Sequence, residues 1–321
     1  MGFRLFWRRR PPEFYGVSVS ISKTFKANLA LSAAAFLWGT TFIYQRQAMD
    51  DLEPLAYGGL RFTLGALALL PLALPRAKKL LKNSQDPAAL ARLWLLGGLV
   101  SGTFLFVGIT FQQYGLKWTT AGKAGFITSL YVVLVPLILR LMGHRIDVGQ
   151  GWGALLAMIG LYFLSFSSGL EGLSLGDLLV FTGAFIWAGH VIALGWLSPK
   201  MDSIILGVSQ ALFCGLLGLA ATVVCGQWPT LAAVRAAWLP LVWGGLLSVA
   251  CGFTLQVIGQ KDAEPATAAI ILQMEAVVAV LAGHFSIYCE PITSRMLWGM
   301  ALMLTGMLLS QLGGLLVQNK H

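Results

Sequence analysis

Glu275 is the group in this chain best placed for chemistry, a carboxyl near the middle of the apolar run 266–286, with no other acid so deep in such a run. If that run crosses a bilayer, a charge there costs about 2.5–3.5 kcal/mol on insertion scales, so the residue must face a cavity or a partner. It can then exchange a proton or bind a substrate ammonium; a carboxyl kept neutral or paired to tie helices together is the plainer alternative. Lys123 lies one turn inside the run 119–140, with Thr119 and Thr120 on its face and Tyr131 two turns along. It either lines a cavity mouth, attracting a carboxylate or offsetting Glu275, or snorkels to the interface.

Trp38, Thr41 and Gln45 recur at i, i+3 and i+7 and so share one helix face. Trp187 and His190 repeat the first two positions later in the chain, with Leu194 in place of the glutamine. An aromatic ring beside a polar group suits a pocket that stacks and hydrogen-bonds an organic molecule, and a histidine there suits proton coupling. Packing of either tryptophan against lipid or a neighbouring helix is the alternative. Gln112, Gln113, Gln256 and Gln273 are further polar candidates, although bonding between helices is the commoner task of Gln in lipid. Gln273 and Glu275 point about 200° apart, so they cannot face the same space. Arg61, two turns into the run 54–75, is expected to snorkel or to form a structural ion pair.

Enzyme signatures fail. The stretch from Gly115 to Lys123 imitates a phosphate loop, but six residues separate Gly115 from Gly122, and Ala124 replaces the required Ser or Thr. His144, His190, His284 and His321 are scattered, and Cys214, Cys225, Cys251 and Cys289 show no paired spacing. The expectation is no cofactor, no metal, no disulfide and no catalysis.

Such residues need rods of fixed depth to position them, and the composition supplies these. Hydrophobic residues are 57% of the 321 and charged ones 11%, against about 25% charged in soluble domains. Apolar spans fall near 27–47, 54–75, 93–115, 119–140, 149–167, 175–196, 203–225, 238–259, 266–286 and 293–315. Each is about 17–25 residues, enough for a helix to cross a ~30 Å hydrocarbon core. Lipid makes every segment satisfy its own backbone, and the alternation of barrel strands is missing, so an all-α integral membrane protein is expected. The net charge of +9 comes from residues between the spans rather than on one amphipathic face, which argues against a nucleic-acid partner.

Lys and Arg concentrate on one side if the ten spans alternate. That side holds Arg4, Arg8, Arg9, Arg10, Lys23, Lys26, the long polar connection Arg76–Arg92, Arg140, Arg145, Lys200, Lys261 and Lys320. The other side receives Lys117, Lys123, Arg235 and Arg295. The positive-inside rule then places both termini in the cytoplasm. Residues 1–26 read as a cytoplasmic leader that either rests on anionic lipid or is disordered, and residues 317–321 as a cytoplasmic tail.

The two halves of the chain resemble each other. Ala35-Phe36-Leu37-Trp38-Gly39 in span one is echoed by Ala184-Phe185-Ile186-Trp187-Ala188 in span six. Thr110-Phe111-Gln112 with Gly115 and Lys117 is echoed by Thr254-Leu255-Gln256 with Gly259 and Lys261, and Trp152-Gly153 with Gly160 by Trp298-Gly299 with Gly306. Residues 27–168 and 175–316 therefore read as two repeats of five helices each. An odd repeat must insert upside down relative to its partner, which gives the inverted architecture of secondary transporters with one site opened to either side in turn.

At these residues the chain also resembles EamA-type carriers of the drug/metabolite transporter superfamily. The resemblance is carried by Phe36-Leu37-Trp38-Gly39, Leu60-Arg61-Phe62, Gly176-Asp177 and the stretch from Glu275 to Cys289-Glu290-Pro291, and it covers residues 27–316. The chain departs from the family pattern at Ala276, where many members have proline, and at Gly143-His144, where Gly-Glu is usual. The resemblance implies ten helices, cytoplasmic termini in an inner membrane and a central cavity shared by both halves. With no nucleotide site in the chain, the expectation is a gradient-driven or exchange carrier of small organic metabolites, amino acids or amphipathic drugs; the resemblance favours export, and Glu275 and His190 are the residues that suit proton coupling. A lipid or sugar-nucleotide carrier, an intramembrane enzyme, and a non-transporting membrane component are the alternatives, and a homodimer is left open.

Overall fold

The computed structural model describes residues 21–119, 124, 127–144, 146–165, 174–285 and 292–318, with side chains in the last stretch described to 310. All regular structure among them is helical. The chain runs through α1 (Ile21–Ala48), α2 (Pro54–Asn83), α3 (Pro87–Gly115), α4 (Ile127–Leu141), α5 (Val148–Ser165), α6 (Leu175–Leu197), α7 (Ser203–Val224), α8 (Trp238–Gln260), α9 (Pro265–Phe285) and α10 (Ser294–Gln318). Seven of these, α1–α3 and α6–α9, are long and apolar enough to cross a membrane, while Ile127–Leu141 and Val148–Phe163 are shorter apolar helices. The chain is thus a multi-pass helical membrane protein. The leader residues 1–20 and the tail residues 319–321 lie outside the described residues.

Local chemistry sets the helix ends. Pro54, Pro87 and Pro265 each open a helix at a position whose N–H would be unpaired anyway. Asp86 accepts from the Ala89 N–H at 2.9 Å, Asp202 caps Ile204 and Ile205, and Ser174 with Asp177 forms a reciprocal capping box.

One boundary differs from the sequence reading. The basic stretch after span two is not a long connection, because α2 continues through Arg76, Lys78, Lys79 and Lys82 to Asn83, and α3 resumes at Pro87. Lys, Leu and Ala are strong helix formers, so the rod carries its charges out of the apolar region instead of unwinding there.

Two spans are irregular at mid-depth. The regular helix of α9 is interrupted at Gln273–Met274 and resumes at Glu275, and that of α4 is interrupted at Leu130 and resumes at Tyr131. In α8 the stretch Trp243–Phe253 winds as a wide π-helix.

Packing joins the two halves along their length. Helix α2 lies against α7, and α5 against α10, while α3 touches α6 and α7 as α8 touches α1 and α2. Small residues permit the closest approach: a side-chain carbon at Gly153 would stand 2.7 Å from the Gly306 carbonyl oxygen, and one at Gly306 would stand 2.6 Å from that of Gly153. Leu31 and Ala34 of α1, Val135 and Leu139 of α4, Ala188 and Ile192 of α6 and Ala266, Ala268, Ala269, Ile271 and Leu272 of α9 form a buried aliphatic cluster toward the N-terminal end of α1. This cluster is the floor on which the site is built.

Candidate functional site

Above that floor a cavity partly open to solvent lies between α1, α2, α3, α4, α6, α8 and α9. Trp38, Thr41 and Gln45 line it from α1, joined by Phe42, as one face of the helix requires. The Trp38 Nε1–H donates to the backbone oxygen of Ser248 at 3.1 Å, which ties α1 to the π-helical stretch of α8. The hydroxyl of Thr41 donates back to Leu37 at 2.7 Å, so its remaining capacity toward the cavity is as an acceptor.

Phe253 sits between the two tryptophans, 4.7 Å from Trp38 and stacked on Trp187 at 6.4 Å and 9°. Trp187 also lines the cavity, and its buried indole N–H has no partner. The result is an aromatic wall shared by both halves, with one free donor in it. Phe253 and Ser248 escaped the sequence reading, because the π-helix of α8 rotates faces away from the 3.6-residue period on which such reading rests.

Glu275 borders the same space and is 7% exposed. Its carboxyl has no hydrogen-bond or ion-pair partner among the described residues. The interrupted backbone of α9 places it at the first position of a new helical segment. Helix α1 presses close here: a side-chain carbon at Gly39 would come 2.6 Å from the Glu275 carbonyl oxygen. Tyr131, at the matching restart in α4, lines the cavity too. Gln112 donates through Nε2 to Thr128 Oγ1 at 3.2 Å, while Gln256 presents an Oε1 with no partner, and both border the cavity.

Three expectations change. His190 is fully buried and is not among the cavity-lining residues; its Nε2 meets Gln210 Oε1 of α7 at 3.1 Å, and its ring packs edge-on behind Trp187 and Phe253. Arg61 neither snorkels nor forms an ion pair among the described residues: it is 1% exposed and lines the cavity. With the Gln45 amide oriented so that Oε1 faces the guanidinium, that oxygen accepts from Nη1 at 2.9 Å and Nη2 at 3.1 Å. Gln113 and Gln273 are buried without partners among the described residues and are not among the cavity-lining residues. Lys123 and Cys289 lie outside the described residues.

No three His, Cys, Asp or Glu side chains stand together as metal ligands among the described residues. The chemistry on offer is one acid, one guanidinium, a few amides and hydroxyls, and an aromatic wall. Among the described lining residues that set suits stacking and hydrogen bonding of an organic molecule.

A sequence model of the EamA-like transporter family matches residues 25–166 and 174–312. An uncharacterized transporter of Archaeoglobus fulgidus is 34% identical over 191 residues, which span 59% of this chain and 55% of that protein. The uncharacterized transporter YoaV of Bacillus subtilis is 23% identical over 89% of this chain and 96% of its own. The uncharacterized inner membrane transporter YedA of Escherichia coli K12 is 24% identical over 79% and 80%. A solved crystal structure aligns with a TM-score of 0.72 at 21% identity, covering 89% of this chain and 96% of the other, which is a likeness of fold.

Proposed function

Because the chain belongs to the EamA-like transporter family, we propose that this membrane transporter is a secondary carrier that exports small organic metabolites, amino acids or amphipathic drugs across an inner membrane. The observation that carries this reading is the cavity between the halves, aromatic on one side, acidic at Glu275, and floored by packed aliphatic side chains. Such a floor is a closed gate of an alternating-access cycle, and rocking of the halves would open it while closing the other end.

The ten helices act as two inverted repeats, residues 27–168 and 175–316. Support comes from the exchange pattern of contacts: α2 with α7 and α5 with α10 map onto themselves, and α3 with α6 and α7 maps onto α8 with α1 and α2. The interruptions before Tyr131 and Glu275 support it too, since broken helices at mid-depth mark substrate sites in such carriers. Cytoplasmic termini follow from the Lys and Arg asymmetry, including the basic end of α2. A single guanidinium among the lining residues suits one anionic group at most, which disfavours a nucleotide-bearing substrate.

Glu275 exchanges a proton or trades partners between inward and outward states. A thermal-shift screen of purified protein against amino acids, polyamines and cationic dyes finds the ligand, and proteoliposome flux of that ligand tests the mechanism. Glu275→Gln should depress flux and flatten its pH dependence; unchanged flux and pH dependence would remove the assignment.

A further inference from the structure

The geometry points to Arg61, held by Gln45, as the subsite that takes the carboxylate of an organic monocarboxylate substrate whose apolar body stacks on the Trp38–Phe253–Trp187 wall. This deepens the carrier reading and rests on it for the meaning of the cavity.

Arg61 is a permanent cation placed where charge is hardest to keep. It is among the largest side chains in the protein with under 2% exposure, and no carboxylate pairs with it among the described residues. Its surroundings hold it without neutralising it. The guanidinium carbon sits 4.9 Å from the Tyr57 ring centroid and 5.2 Å from that of Phe62, and Gln45 Oε1 bridges Nη1 and Nη2. Those contacts, with a side-chain hydrogen bond to Tyr57, fix the plane of the fork through neutral groups. The Nε–H is buried and has no partner among the described residues. A neutral amide and two ring faces orient a guanidinium but do not balance its charge.

The chemistry left unsatisfied defines the ligand. A planar fork with free N–H groups matches a carboxylate in two parallel hydrogen bonds. Two further lining residues carry buried polar atoms without a partner among the described residues, the Trp187 indole N–H and Gln256 Oε1, and the Glu275 carboxyl has none there either. One positive charge matches a monoanion. A phosphate ester would bring nearly two charges into a space that already contains Glu275 and one cation among its described lining residues. The apolar body needs area rather than hydrogen bonds, and the stacked rings of Phe253 and Trp187 supply it.

Three probes share a phenylethyl body and differ in the charged groups it carries: 3-phenylpropionate, L-phenylalanine and phenylethylamine, with phenyl phosphate, which has the ring without the two-carbon spacer, as a fourth. Binding to the full chain in lipid nanodiscs is measured by calorimetry, and flux separately in proteoliposomes. The expected result is binding of the two carboxylates, weaker binding of the phosphate ester and the amine, and a loss of roughly ten- to hundredfold in carboxylate affinity for Arg61→Gln. Arg61→Lys keeps the buried charge, so it should fold, and should lose part of that affinity because the fork is gone. Amine binding equal to or tighter than carboxylate binding, preference for the phosphate ester, binding of none of the four, or unaltered carboxylate affinity in both variants would each overturn the subsite. Carboxylate binding that depends on Arg61 without any flux would uphold the subsite and bring down the carrier reading instead.

Discussion

The hairpins α1–α2 and α6–α7 are built on one pattern and do different work. Trp38 and Trp187 are 149 residues apart, and so are Thr41 and His190, Gln45 and Leu194, and Arg61 and Gln210. In the first hairpin, Gln45 and Arg61 meet at the cavity wall. In the second, His190 and Gln210 meet in a sealed contact, and Leu194 joins an aliphatic cluster with Ile205 and Leu206. Of Trp187, His190 and Leu194 the first alone lines the cavity, joined from the same helix by Val191. Two equivalent scaffolds thus give one charged wall and one neutral wall. An asymmetric substrate needs that difference, because identical walls would offer it two indistinguishable orientations.

The comparison breaks most readily at Gln210. Installing the first hairpin's charge there, Gln210→Arg, buries a cation against His190 with no cavity to share it, and should lower unfolding free energy by about 3–5 kcal/mol. Thermal unfolding followed by size-exclusion chromatography reads this, and a variant as stable as the parent would mean the two environments are alike after all. Making α1 resemble α6 by Gln45→Leu removes the acceptor on Arg61 and should cost about 1.5–3 kcal/mol, with ligand binding lost alongside stability. His190→Gln should cost about 1 kcal/mol and leave the pH profile of flux unchanged, in contrast to Glu275→Gln. A shifted profile would bring His190 back into the proton path.

The smallest effect sharpens the contrast between the tryptophans. Trp38→Phe loses the bond to Ser248, whereas Trp187→Phe removes an N–H that has no partner. The two should differ by about 1 kcal/mol or less, Trp38→Phe being the more costly. Equal stabilities would show that the Trp38 bond contributes nothing net.

Much of this was legible in the residues because lipid leaves few options. Runs such as 203–225 and 238–259 correspond closely to α7 and α8, since a span must be helical and long. The i, i+3, i+7 pattern brought Trp38, Thr41 and Gln45 to one wall, as helix geometry demands. That rule states which side chains share a face and is silent on what covers the face, which is why His190 was misplaced: its neighbour Gln210 belongs to another helix. Arg61 was misread for the same reason, because a missing partner is a property of the surroundings. Phe253 was hidden by the π-helix, which changes the period itself.

The length of α2 has a mechanical consequence. Its 30 residues make a rod of about 45 Å, well beyond the ~30 Å of hydrocarbon, and the surplus ends in Arg76, Lys78, Lys79 and Lys82. Anionic headgroups would grip that end like a keel, so the depth of the guanidinium at position 61 is set by the leaflet as well as by the bundle. Changing the surface charge of the bilayer should therefore retune the pocket without touching any residue in it.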